Sequence, residues 1–258
     1  MNKSEITALA MRSNKQQGGK AVFGAAVGIL MLEARFPRIP GDMGNARTWP
    51  FPVLYKVVRG ASPDLVVRNN AEGLLDDFIA AARDLVADGA DGITTNCGFL
   101  SHFQKDLSRA VDVPVATSSL MQVPAVQALL PPGKRVGVIT VSKSTLTPEH
   151  LTAAGAPADA PVVGTEGGRE LTRVLLDDEP ELDVELARLD MLDAADDLVQ
   201  SNPDVGAIVL ECTNMTPYAA DLRRATGLPV FTIVTFVRWF ESALMPDPFA
   251  PDVWDPRA

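Results

Sequence analysis

Residues 97–115 and 212–230 of this chain align without a gap at a constant offset of 115. Cys97, Asp106, Leu107, Arg109, Ala110, Pro114 and Val115 are matched by Cys212, Asp221, Leu222, Arg224, Ala225, Pro229 and Val230, which is 7 of the 19 aligned positions. Just upstream, Ile93 faces Ile208, and Val27-Gly28-Ile29 is echoed by Val136-Gly137-Val138. Self-similarity at a fixed offset marks a duplicated architecture. The two halves place the two cysteines of the chain at equivalent positions.

Each half alternates strand and helix patterns. Short apolar runs at 26–32, 92–95, 113–116, 135–141, 207–210 and 229–234 read as strands buried on both faces. Between them, the spacing predicts helices over 70–88, 99–110, 123–130, 181–199 and 216–225. In the fourth of these Leu182, Leu186, Leu189 and Leu192 are expected inside. Strands alternating with helices give an α/β fold with mainly parallel sheets. The repeat divides it into two pseudo-symmetric lobes, each a sheet flanked by helices, with an active-site cleft between them. The expected boundaries are a leader over 1–20, a first lobe over 21–117 plus 229–258, and a second over 118–228. Residues 33–53, rich in Pro and Gly, form a long loop of the kind that usually carries function.

Composition narrows the function. The chain has 258 residues and a formal net charge of −10, which argues against a nucleic-acid partner. Two cysteines are too few for a disulfide framework. His102 and His150 are the only histidines, and no Cys/His spacing fits zinc, so no metal is expected. The longest apolar run, 21–32, is too short to cross a bilayer and lacks a cleavage site after it. The expected location is the cytoplasm, with no membrane partner.

The chemistry points to the thiols. Cys97 and Cys212 each follow a strand and precede a helix, where ligands gather in parallel sheets. Backbone N–H groups at such a junction lower a thiol pKa. The flanking Thr95-Asn96-Cys97-Gly98 and Glu211-Cys212-Thr213-Asn214 offer donors to a carboxylate or a developing enolate. Brought face to face, two thiols suit proton removal from a carbon beside a carboxylate by one, and proton return by the other. Buried inert cysteines are the plainer alternative.

These two cysteine loops, the lobe repeat and the Pro-Val strands at 114–115 and 229–230 resemble the aspartate/glutamate racemase superfamily, which includes hydantoin racemases, maleate isomerase and arylmalonate decarboxylase. The resemblance spans roughly residues 22–240. It implies a cofactor-independent racemase or isomerase of a small carboxylate-bearing substrate, with Cys97 and Cys212 as acid–base pair. Asn96, Gly98, Thr213 and Asn214 would touch the substrate carboxylate, and a homodimer is common. In place of the polar motif that often follows the first strand, this chain has Met31-Leu32-Glu33-Ala34-Arg35-Phe36. On the same fold, cis–trans isomerisation or decarboxylation of a dicarboxylic acid is an alternative, and a non-catalytic small-molecule binding protein is another.

Further candidates lie at the ends of other strands. Ser118 and Ser119 could bind a carboxylate or cap a helix. Thr140 lies at the end of the 135–141 strand and should reach the cleft with the residues that follow it. Arg35, in the long loop, suits bidentate carboxylate recognition or a surface ion pair. His102 is one turn from Cys97 and poorly placed as its base.

Overall fold

The computed structural model describes residues 18–249. Positions 1–17 of the expected leader and 250–258 of the expected first-lobe tail lie outside the described residues. Two four-stranded parallel sheets make up the molecule. The first contains β1 (Val27–Leu32), β2 (Val53–Val58), β3 (Gly92–Thr95) and β4 (Val115–Ala116) in the order β2-β1-β3-β4. The second contains β5 (Arg135–Thr140), β6 (Val162–Gly164), β7 (Val205–Leu210) and β8 (Val230–Phe231) in the order β6-β5-β7-β8. The repeated strand order is the structural counterpart of the sequence repeat, and the two-lobed α/β expectation holds.

Helices cover both faces of each sheet, which is why β1 and β7 are apolar along almost their whole length. Helix α1 (Pro63–Val67) follows β2, and α2 (Leu75–Asp88) packs on β1 through Phe78, Ala82 and Leu85. It ends at Gly89, whose φ of 130° lets its N–H reach back to Leu85 and Val86. The echoed glycines have one purpose in both halves. A Cβ on Gly28 would lie 3.1 Å from Leu85 of α2, and one on Gly137 would lie 2.8 Å from Leu198 of the long helix α7 (Val184–Ser201). Each glycine therefore lets a helix settle directly onto the central strand.

The lobes exchange helices. After β4 the chain enters a 3₁₀ turn (Ser119–Gln122) and α4 (Val123–Leu129), whose Gln127 side chain accepts the N–H of Val136 in β5 at 3.0 Å. After β8, helix α9 (Ile233–Leu244) packs Ile233, Val237 and Phe240 against Val27, Ile29 and Met31 of β1. Helix α3 (Gln104–Ala110) precedes β4, and α8 (Ala219–Thr226) holds the equivalent place before β8. The second lobe is completed by α5 (Pro148–Ala153) and α6 (Leu171–Leu176). Among the described residues no helix is long and apolar enough to cross a membrane.

Helix α7 departs from the predicted face. Leu186 and Leu189 are 36% and 38% exposed, while Ala187, Asp190, Met191, Ala194 and Leu198 are buried. Small alanines win the inner face because the helix must approach the strand closely, and Asp190 is drawn in by backbone donors. Its carboxylate accepts N–H groups from Arg169 and Glu170 at 2.7 Å and from Leu171 at 2.9 Å, holding the start of α6. Burial opposes the charge, but the backbone donors and the Arg169 guanidinium leave its pKa below the ordinary carboxylate range. Asp190→Ala leaves three inward-facing donors without a partner and is expected to cost roughly 2–4 kcal/mol in urea unfolding. Because the folded pKa is depressed, this stabilisation is present above the unfolded carboxylate pKa. It disappears as the pH falls through the depressed folded value.

Candidate active site

Strands β3 and β7 end side by side where the lobes meet, and each delivers a cysteine. Cys97 opens a 3₁₀ helix (Gly98–Phe103) and Cys212 opens its counterpart (Thr213–Tyr218). Both cysteines line one small cavity of about 20 Å³, room for about one water molecule. Its polar lining is Asn96, Cys97, Glu211, Cys212 and Asn214, and its walls include Leu32, Phe36, Phe99, Val141 and Leu175. The lobes are fastened immediately behind it. Thr213 Oγ1 donates to the Asn96 carbonyl at 2.7 Å, and Ser119 Oγ donates to the Leu210 carbonyl at 2.5 Å and the Glu211 carbonyl at 3.1 Å.

The thiols sit in matched surroundings. The backbone N–H groups of Phe99 and Leu100 near Cys97, and that of Asn214 near Cys212, favour the thiolates. The expected lowering of their pKa values fails nonetheless. Burial pushes both thiols up, and the nearby Glu211 carboxyl pushes them further. Near neutral pH both are therefore S–H groups. Cys212 donates its proton to Asn214 Oδ1 at 3.3 Å.

The orientation of Asn214 is fixed from the long loop. Its Nδ2 donates to Asp42 Oδ2, so its carbonyl oxygen must face the sulfur. The other Asp42 oxygen accepts from Arg38 Nη1 at 3.1 Å and from the Gly44 N–H at 2.6 Å. Asp42 is 2% exposed. The loop is itself tied down, with Thr48 Oγ1 donating to the Asp42 carbonyl at 2.6 Å and Trp49 Nε1 to Tyr55 Oη at 3.0 Å. Nothing in local sequence pattern marks Asp42 as a buried acid; its partner Asn214 is distant in the chain.

Glu211 is fully buried. Its Oε2 accepts from Thr140 Oγ1 at 2.7 Å, while Oε1 has no partner. Burial pushes its pKa up to about 7, against the Thr140 hydrogen bond that favours the anion. A Cβ on Gly98 would fall inside this carboxyl group, so glycine is required where the two cysteine loops touch.

Of the residues singled out in the sequence, Cys97, Cys212, Asn96 and Asn214 line the cavity. Asn96 Oδ1 accepts the Leu32 N–H at 2.7 Å, which fixes the amide at the end of β1. Thr140 stands behind Glu211, and Gly98 and Thr213 form the lobe contact. Ser118 caps its 3₁₀ turn through the Leu120 N–H at 3.2 Å, and Ser119 holds the end of β7. Arg35 lies away from the sulfurs, with its side chain 79% exposed and paired with Asp178 at 3.2 Å. Together with Arg68–Asp177, also 3.2 Å, that pair joins the lobes over the cavity, where Pro63 and Val67 of α1 approach Leu175 and Leu176 of α6. His102 is exposed and packs beside His150, outside the cavity lining. Glu211 and Asp42 are the groups whose role the sequence did not reveal.

No family model matches the chain. A dimethylsulfoniopropionate lyase from Durusdinium sp. clade D is 27% identical over 231 residues, covering 87% of this chain and 76% of that protein. Dimethylsulfoniopropionate lyase 7 from Emiliania huxleyi (strain CCMP1516) is 31% identical over 244 residues, covering 89% of this chain and 70% of that protein. Among solved structures, an allantoin racemase from Klebsiella pneumoniae superposes with a TM-score of 0.61 at 16% identity, over 90% of this chain and 97% of that one. A mutant of arylmalonate decarboxylase gives 0.59 at 17% identity, over 88% of this chain and 96% of that one. The resemblance to the aspartate/glutamate racemase superfamily therefore holds for the fold.

For function it is corrected. The expectation of a racemase or isomerase, with its decarboxylase, cis–trans isomerase and plain binding-protein alternatives, is overturned by relatives that are lyases across most of their length. The reason is physical. Paired thiols and carboxylate donors report only that a proton beside a carboxylate can be moved. The fate of the resulting carbanion depends on whether the next carbon carries a leaving group, and that is written in the substrate. At 31% identity over most of both proteins, this chain belongs to the family of the dimethylsulfoniopropionate lyases.

Proposed function

We propose that this protein is a lyase that cleaves dimethylsulfoniopropionate, or a closely similar sulfonium acid, by β-elimination. The observation that carries the proposal is the pair of cysteines lining one cavity in a chain whose relatives bear that name. The bond changes balance simply. A thiolate takes a proton from the carbon next to the carboxylate. The electron pair forms the carbon–carbon double bond, the carbon–sulfur bond breaks, and dimethyl sulfide leaves with both of its electrons. Acrylate remains, and the thiol later releases its proton to solvent. Asn96 and the backbone N–H groups of the cysteine loops supply donors for the carboxylate as it takes on enolate charge. The apolar walls exclude water and suit the methyl groups of the leaving sulfide.

A cavity of about 20 Å³ does not admit such a substrate, so the lobes must part at the α1–α6 rim before binding. Headspace gas chromatography of dimethyl sulfide, with NMR of acrylate, tests the reaction. No dimethyl sulfide from the folded protein at millimolar substrate overturns it.

The pH dependence derives from the site. A thiol must lose its proton to act, and burial and Glu211 hold both thiols above their ordinary value. Activity in kcat/KM is therefore expected to rise with pH from neutrality through pH 9, the range around the ordinary thiol pKa of ~8.5. A profile that falls over this interval would contradict thiolate chemistry.

A further inference from the structure

We propose that Asp177 and Asp178, at the end of α6, form a latch that holds the lobes together over the cysteines and sets how often the cavity opens. The inference concerns access to the site and holds whichever reaction the site performs. The residues that make the contact are chain neighbours of the cavity wall. Asp177 follows Leu176, Arg68 follows Val67, and Arg35 precedes Phe36. Asp177 Oδ1 accepts from Arg68 Nη1 and Nη2 at 3.2 Å. Asp178 accepts the Arg35 N–H at 2.5 Å, the Phe36 N–H at 3.3 Å and Arg35 Nε at 3.2 Å. All of these bonds cross from one lobe to the other.

Local sequence rules disfavour two aspartates here. The turn that ends α6 carries the Glu179 N–H back to the Val174 carbonyl at 3.0 Å, with Asp178 in its left-handed position at a φ of 53°. Glycine fits such a position without strain. The free carbonyls of a helix end favour cations over carboxylates. Adjacent like charges also repel. The partners that offset all three effects lie on the other lobe, so the aspartates are stabilised only while the rim is shut. The facing segment is strained as well. Among the described residues, the non-glycine residues with left-handed backbone are Asn70, Ala71 and Asp178, and the first two lie in the turn after Arg68. Strain gathered on both sides of one contact is found where a segment switches between arrangements.

Magnitude decides the kind of device. Exposed ion pairs contribute little alone, and the Arg35 and Arg68 side chains are 79% and 45% exposed. The two backbone N–H groups held by the Asp178 carboxylate strengthen the contact. Such a contact keeps the rim shut most of the time yet breaks readily, as admission of any guest larger than the cavity requires.

The two thiols are the only ones in the chain, so they report opening without any substrate. The reagent 4,4′-dithiodipyridine is larger than the cavity and reaches them once the rim parts; absorbance of the released thiopyridone gives the rate. The doubly substituted Asp177→Asn, Asp178→Gly protein is expected to react about tenfold faster than the unsubstituted chain. Glycine suits the end of α6, and circular dichroism verifies the fold. Salt at about 1 M, where the Debye length is about 3 Å, should quicken the unsubstituted protein and leave the variant unchanged. In both proteins dilute urea should alter the rate little, since parting of the rim exposes little surface, whereas labelling through global unfolding rises steeply. A folded variant that reacts at the unsubstituted rate overturns the proposal. So does a rate in the unsubstituted protein that ignores salt, or one that climbs steeply with urea. None of these readings uses dimethyl sulfide, so failure of the latch and failure of the lyase assignment are seen separately.

Discussion

Substituting the cysteines with alanine, one at a time, is expected to lower dimethyl sulfide release by about 10²–10⁴-fold for at least one of them, the range that a positioned general base supplies. The elimination removes one proton and returns none to carbon, so it needs one thiolate. A reaction that inverts a carbon centre needs both groups. Under the proposed elimination the second thiol would act only through its neighbour, sharing the cavity and the influence of Glu211. The two single substitutions should therefore differ in size, and the double substitution should add little to the worse of them. Serine in place of the essential cysteine should fail equally, because a hydroxyl remains protonated where a thiol can ionise. Initial rates from headspace sulfide, normalised to folded protein, read the effect directly. If both alanine variants retain rates within a few-fold of the unsubstituted chain, thiol chemistry is not the mechanism.

The lobe repeat is legible in the sequence because it is a pattern along the chain. The offset of 115 alone pairs Cys97 with Cys212, and both do line one cavity. The central strands are equally plain, since β1, β5 and β7 are continuous apolar runs. The peripheral strands are not. β2 is half-buried and contains Lys56, and β6 is three residues long, so neither carries a strong pattern. The 229–234 run is a two-residue strand continued at once by α9, because Thr232 caps a helix there by accepting the Thr235 N–H at 3.3 Å. At the site, position in the long loop offers Arg35 and Arg38 alike. Exposure and an ion partner decide between them, and the arginine that turns inward is Arg38. Glu211 is in plain view beside Cys212, yet its burial depends on Thr140 at the end of β5 and on Gly98 in the 3₁₀ helix after β3.

Asp42→Ala is expected to be the most destabilising change near the site, by about 3–5 kcal/mol. The Arg38 and Asp42 side chains are only 14% and 3% exposed, and Arg38 Nη2 already lacks a partner. Removing the carboxylate strands a buried guanidinium, the Gly44 N–H and the Asn214 amide in one step. Removing the charge on both sides is less harmful than removing one, because no unpaired ion is left behind. Thus Arg38→Met with Asp42→Leu should recover much of the stability lost in Asp42→Ala, and urea unfolding of the variants measures the difference. The activity of the double variant carries separate information. With Asp42 gone, Asn214 is free to turn its amide, and its oxygen no longer has to accept the Cys212 proton. A stable double variant with impaired kcat would show that the long loop orients the chemistry through Asn214. Full activity in that variant would show that the loop contributes only stability.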